Sequence, residues 1–187
     1  MADDDTATIE LSRSDLRAVT GYAVACARPS LPLYERARPD DRRPRAALDA
    51  ARAFADGAER TKAIRDGAWA AHRAAQETRD AGAPVASDAA RAAAHTCGAA
   101  YLHPLAKATQ VKHILASAAH TARAYELAEG DDPDVGAAHL ARFAALALAD
   151  GTVVDVLRRY PAAPPGGGRV GQLIRDLDAA LRPHPSS

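Results

Sequence analysis

Residues 94–120 read AHTCGAAYLHPLAKATQVKHILASAAH, and the spacing within this stretch decides the fold. Before Leu102, the residues Ala94, Cys97 and Tyr101 recur at intervals of three and four. After Pro104, the residues Val111, Ile114, Leu115, Ala118 and Ala122 do the same. That is the period of a helix face, not of a strand. Pro104 lacks an N–H and its ring collides with a preceding helical turn, so it must separate two helices. The same stretch places His95, His103, His113, His120, Lys107 and Gln110 among alanines and aliphatics. Polar groups on a half-buried surface need partners, so these side chains are either structural hydrogen-bonders or a site.

The pattern extends through the chain. Alanine is about a quarter of the 187 residues, while aromatics are only 4%. Alanine is the strongest helix former and adds little volume, so the expectation is helices packed closely around a thin core. The apolar area buried per residue is then modest, and a homodimer would supply more. Ser12 and Asp15 form an acidic capping box ahead of the stripe Leu16, Val19, Ala23 and Cys26. Further stripes are Leu48, Ala51 and Ala55; Ile64, Ala68, Ala71 and Ala75; Leu140, Ala144 and Ala147; and Leu173, Leu177 and Leu181. Trp69, His72 and Gln76 flank the second of these. Ser87 is the expected cap of the helix that contains His95. Residues 161–168 (PAAPPGGG) read as a surface loop. The fold class is therefore all-α, a single alanine-rich domain with a bundle or array of about seven to eight helices over residues 11–182. Residues 1–10 are expected to form a disordered acidic tail, and residues 183–187 a second disordered tail.

Composition excludes several functions. Lys plus Arg equals Asp plus Glu at 24 each, so nucleic acid is not an expected partner. No run of 18 apolar residues exists, so no membrane partner is expected. The acidic N-terminus MADDDTATIE has no secretory character. Cys26 and Cys97 are far apart and lie in apolar helical patterns. They read as free buried thiols in a reducing cytoplasm.

The residues bear on four kinds of chemistry. Gln110, His113, Ser117 and His120 share one stripe, but His113 and His120 are about 10 Å apart at 1.5 Å per residue. The helical metal pairs HxxxH, HxxH and ExxH are absent, and a metal would need separate helices, for instance His72, His95 and His113. No metal and no cofactor is expected. An interhelical ligand pocket would draw on His72, His95, His103, Lys107, Gln110 and His113. Arg42 and Arg45 at a helix start are a candidate anion or partner-binding pair, with internal pairing to Glu35, Asp40 and Asp41 as the alternative. Phosphate loops, GxGxxG turns and GxSxG elbows are missing, so no catalytic set is complete.

The strings DLRAVTGYAVACA (residues 15–27), LPLYERARPDDRRPRAALDAARAFADG (31–57) and AARAAAHTCGAAYLHP (89–104) resemble the immunity proteins of bacterial polymorphic toxin systems. The resemblance is to the immunity-protein-five-like domain family. It covers residues 11–127 and is most specific over residues 39–54, while residues 153–173 are similar to the actinobacterial subset. It implies an all-helical cytoplasmic protein that binds a cognate toxin and neutralises it without catalysis. The alternative from the residues alone is a helical enzyme or a small-molecule or metal-binding protein using the His/Lys/Gln pocket.

Overall fold

Helix α1 (Arg13–Ala27) starts where the sequence places it. Asp15 N donates to Ser12 Oγ at 3.0 Å and Ser12 N donates back to Asp15 Oδ2 at 2.9 Å, a complete capping box. The computed structural model describes residues 7–182. A 3-10 turn at Arg28–Ser30 leads into α2 (Leu31–Ala37). There follow α3 (Arg43–Ala55), α4 (Lys62–Asp80), α5 (Pro84–Ala99), α6 (Val111–Ala128), α7 (Pro133–Asp150), α8 (Thr152–Arg158) and α9 (Gly168–Leu181). Two of these, α2 and α8, are only seven residues long, which takes the count just past the expected seven or eight. Among the described residues there is no strand beyond a single bridge.

That bridge corrects one expectation. Residues 7–10 were placed in a disordered tail, yet Thr8 pairs antiparallel with Leu105. Ile9 N donates to Pro104 O at 2.8 Å and Ala106 N donates to Ala7 O at 2.9 Å. The cause is Ile9, an apolar side chain that is buried in the core. The rest of the expected acidic tail, residues 1–6, and the expected tail at 183–187 lie outside the described residues. A second correction concerns Ser87. Helix α5 begins earlier, with Pro84 in its first turn, where the missing N–H costs nothing. Ser87 is buried inside the helix and its Oγ donates to Ala75 O at 2.8 Å.

Helices α5 and α6 lie side by side at the centre. Helix α5 packs against α1, α2, α3, α4 and α6, whereas α6 packs against α1, α5, α7 and α9. Both are apolar on most sides, as central helices must be. The α5 half is filled by Ala47, Ala51, Ala71 and Ala92 to Ala94, with Leu48, Phe54 and Ile64 as the larger members. The α6 half uses bigger side chains, including Phe143, Val156, Leu157, Tyr160, Leu173 and Leu177. Small residues let α4, α5 and α6 approach closely, which brings polar side chains on their margins into contact. Cys26 and Cys97 are free and buried. Desolvation pushes both thiols up to about 12, which makes them inert packing groups.

The α6–α7 corner is held by a buried charge. Glu126 is 0% exposed. Its carboxylate accepts from Arg123 Nη1 at 2.8 Å and from Arg169 Nε of α9 at 3.1 Å. Its carbonyl accepts from Asp131 N at 2.7 Å and Asp132 N at 3.2 Å, which closes the turn. Helix α7 crosses directly over this carboxylate at Gly136. A Cβ there would stand 2.0 Å from Glu126 Oε1 and 2.6 Å from Cδ, so only glycine fits. Near the other end of α9, buried Asp178 accepts from Ala163 N and from Arg182 Nε, both at 2.9 Å, and pins the proline-rich loop.

Candidate functional site

The alanine contacts among α4, α5 and α6 assemble a row of imidazoles. His95 of α5 stacks on His120 of α6 with ring centroids 5.2 Å apart and planes 12° apart. His72 of α4 meets His95 edge-on at 5.5 Å and 87°. His120 Nδ1 lies 2.6 Å from Asp88 Oδ1 of α5, and this contact ends the row in a carboxylate. His113, two turns before His120, lies against Gly98, where a Cβ would come 3.2 Å from its Nδ1. That Nδ1 is buried and has no hydrogen-bond partner among the described residues.

Electrostatics favour the neutral form at three of these rings. Burial lowers the pKa of His72, His95 and His113, because the charged imidazolium loses its hydration. Arg91 adds to the effect at His72, Lys112 adds to it at His113, and the neighbouring imidazoles His120, His72 and His113 add to it at His95. Neutral rings can donate or accept hydrogen bonds and stack. They need a nucleophile or a metal to do more. Nearby hydroxyls and thiols are already engaged. Ser117 Oγ donates to Ala92 O at 3.0 Å, Thr96 Oγ1 to Ala93 O at 2.6 Å and Cys97 Sγ to Ala47 O at 3.2 Å. No group of three or more His, Cys, Asp or Glu among the described residues is arranged to hold a metal ion.

The six side chains proposed from sequence therefore divide. His72 and His95 share the row, with His120 and Asp88 added, while His113 sits two turns before His120 against Gly98. His103, Lys107 and Gln110 occupy the 103–110 segment at the N-terminal end of α6. His103 N donates to Gln110 Oε1 at 3.0 Å, and His103 O accepts from Tyr160 Oη at 2.8 Å. His103 and Lys107 are exposed. The candidate anion pair also divides. Arg45 is bound by Glu35 through Nε at 2.6 Å and Nη2 at 2.7 Å, and these bonds hold the Glu35 carboxyl below its ordinary range. Arg42 is exposed at the N-cap of α3. The neighbouring Asp41 is taken by Arg43 and by the Tyr34 hydroxyl at 2.6 Å. These contacts fix the 38–43 loop to the body, the internal pairing that sequence reasoning kept as the alternative.

Two concavities adjoin the row or oppose it. A groove of about 360 Å³ beside His120 is lined by Arg79, Ser87, Asp88, Arg91, Gly167 and Val170, among others. A wider cleft of about 560 Å³ lies between α1, the end of α3 and the α7–α8 corner. The arginines of the wider cleft are occupied, Arg17 by Gly57 O at 2.6 Å and Arg52 by Asp56 at 2.7 Å. On the outer face of α4, Trp69 is 63% exposed. One turn before it, Arg65 lies 5.5 Å from the Tyr101 ring centroid, which Arg60 also approaches at 4.9 Å. Sequence reasoning set Trp69 beside the α4 stripe and stopped there.

Compared with known proteins, the chain matches one family over residues 10–147, which takes in α1 to most of α7. It belongs to that family, described as Imm-5 like putative immunity protein. No curated protein and no solved structure matches it.

Proposed function

We propose that this family member is a non-catalytic immunity-type inhibitor that binds a cognate protein toxin and neutralises it by covering it. The observation that carries this reading is the family match, which spans α1 to most of α7 and so includes α5 and α6. The chemistry inside that span supports it. Burial favours the neutral form of His72, His95 and His113, and the hydroxyls of Ser117 and Thr96 and the Cys97 thiol beside them donate to backbone carbonyls. No helix among the described residues is long and apolar enough to cross a membrane. Free buried thiols suit a reducing cytoplasm as the place of action. The test is co-expression with the toxin domain encoded beside this chain. Growth should be rescued and a stoichiometric complex should co-purify; absence of both would reject the reading.

A second reading, an interhelical ligand site at the imidazole row, is favoured by the buried, unanswered Nδ1 of His113. A polar ligand or zinc accepting that nitrogen would raise the melting temperature of the purified protein. An unchanged melting curve across a panel of divalent cations and small polar metabolites would end it.

A further inference from the structure

We infer that the outer face of α4, centred on Trp69, is the docking surface for the toxin, and that the toxin meets it with carboxylates set around an apolar pocket. This rests on the inhibitor reading above and adds to it a place on the fold and a partner chemistry. Trp69 is 63% exposed, the most exposed large apolar side chain among the described residues. Helical spacing puts Arg65 one turn before it, Arg73 one turn after it and Arg79 further along the same side. Arg91 of α5 joins Arg79 in the groove beside His120. From Arg65 to Arg79 the face runs about 21 Å, a length suited to a standard interface of about 800 Å² per partner.

The charges on this face have no carboxylate partner within the described residues, although Arg79 Nη2 donates to the Gln76 amide oxygen at 2.6 Å and Arg65 lies over the Tyr101 ring. Among the described residues, none of Arg65, Arg73, Arg79 and Arg91 lies in an ion pair. The carboxylates of α4 and α5 are engaged elsewhere. Asp66 pairs with Lys62 at 3.1 Å, Glu77 with Arg43, and Asp88 with His120, while Asp80 accepts from Gln76 at 2.7 Å. Arg45, by contrast, is closed off by Glu35. The surface thus offers one indole and four guanidinium groups without a carboxylate, Arg79 with one N–H already given to Gln76. Trp and Arg are the residue types that dominate binding energy at protein interfaces. A guanidinium fork matches a carboxylate in geometry as well as charge. Nucleic acid fits less well, because Asp66 and Asp80 stand on the same stripe as Trp69 and would repel a continuous phosphate backbone. The exposed leucines of α7, Leu146 and Leu148, offer less: the charges beside Leu146 in the wider cleft are engaged within the chain, Arg17 by Gly57 O, Arg52 by Asp56 and Asp150 by the Thr152 hydroxyl.

The experiment is titration calorimetry of the full chain with an inactivated form of the toxin domain encoded beside it. Trp69→Ala should weaken the complex by about 30-fold or more. The double variant R65E/R73E should weaken it further and slow association, and Leu148→Ser should bind as the wild type does. Circular dichroism should show all three folded, since the altered side chains face solvent. If the wild type binds and both α4 variants bind equally well, the docking surface is wrong while the inhibitor reading stands. If the wild type forms no complex, both fall. Loss of binding in Leu148→Ser alone places the contact on α7 and overturns the inference. Two further results also overturn it: a single-stranded oligonucleotide competing at similar affinity, or a homodimer that Trp69→Ala dissociates.

Discussion

Helix α6 carries a buried polar group towards each end, and the two are stabilised in opposite ways. Near its C-terminus Glu126 is an ion with no exposure, held by Arg123 and by Arg169 of α9. Near its N-terminus His113 is desolvated and leaves Nδ1 without a partner among the described residues. A carboxylate in low dielectric must have counter-charge, because shedding its charge means binding a proton it holds weakly at neutral pH. An imidazole sheds its proton near neutrality and stays as a flat apolar-like ring. Each group faces a glycine on the neighbouring helix, Gly136 for Glu126 and Gly98 for His113. The clearances differ, 2.0 Å against 3.2 Å to the position a Cβ would take. The difference teaches that close helix packing tolerates neutral rings loosely but fixes a charge completely.

Four measurements break or sharpen this contrast, beginning with the largest expected effect. Gly136→Ala drives a methyl into a carboxylate that cannot leave its arginines, and should cost about 3–5 kcal/mol in urea unfolding. A loss below about 1 kcal/mol would show that Glu126 swings free. Glu126→Gln keeps the shape and removes the charge; Arg123 and Arg169, both partly exposed, keep some hydration. The expected cost is about 2–3 kcal/mol, and a neutral outcome would reduce the ion cluster to ordinary packing.

The third measurement is acidification. The folded pKa values of His72, His95 and His113 lie below 6.5. Between those values and 6.5 the unfolded chain binds more protons, so stability rises with pH across that window. The contribution is intact above 6.5 and is lost as pH falls below it. The urea midpoint should therefore drop between pH 7.5 and 5.5, and His95→Gln should flatten that drop. Asp15, Glu35, Asp41 and Glu77, whose pKa values are lowered by arginines, act only below about pH 4.5. The two windows stay separate. Smallest is Gly98→Ala. Helix propensity gains up to about 1 kcal/mol while His113 yields by a few tenths of an ångström, so the net change should stay within about 1 kcal/mol. A loss like that of Gly136→Ala would mean that His113 is held as rigidly as Glu126.

The helices were legible because their signal is local. Ser12 with Asp15, the stripes through Val19 and Ile114, and the break at Pro104 each act within a few residues. The meeting of His72 with His95 was also legible, since both border alanine-rich faces that must meet. The splitting off of His103, Lys107 and Gln110 follows from the 103–110 segment, whose path depends on pairing with residues 7–9. Glu126 left a trace that went unread. It sits four residues after Ala122, on the apolar stripe of α6, where a carboxylate has no business unless paired. Its partner Arg169 was beyond reach, 43 residues further on. Ser87 misled because a serine before an alanine run reads as a cap, whereas a proline at the first helical position outranks it.

The family match stops at residue 147, but the guanidinium that answers Glu126 from across the molecule comes at residue 169, beyond the glycine-rich ribbon of 166–168. A protease cutting that ribbon would let the terminal segment drift off. Leu173, Leu177 and Leu181 would vacate their seats, and Glu126 would keep Arg123 alone as its counter-charge. Trimming the polypeptide to the portion that the family model matches would thus give a sticky, sedimenting fragment instead of a minimal domain.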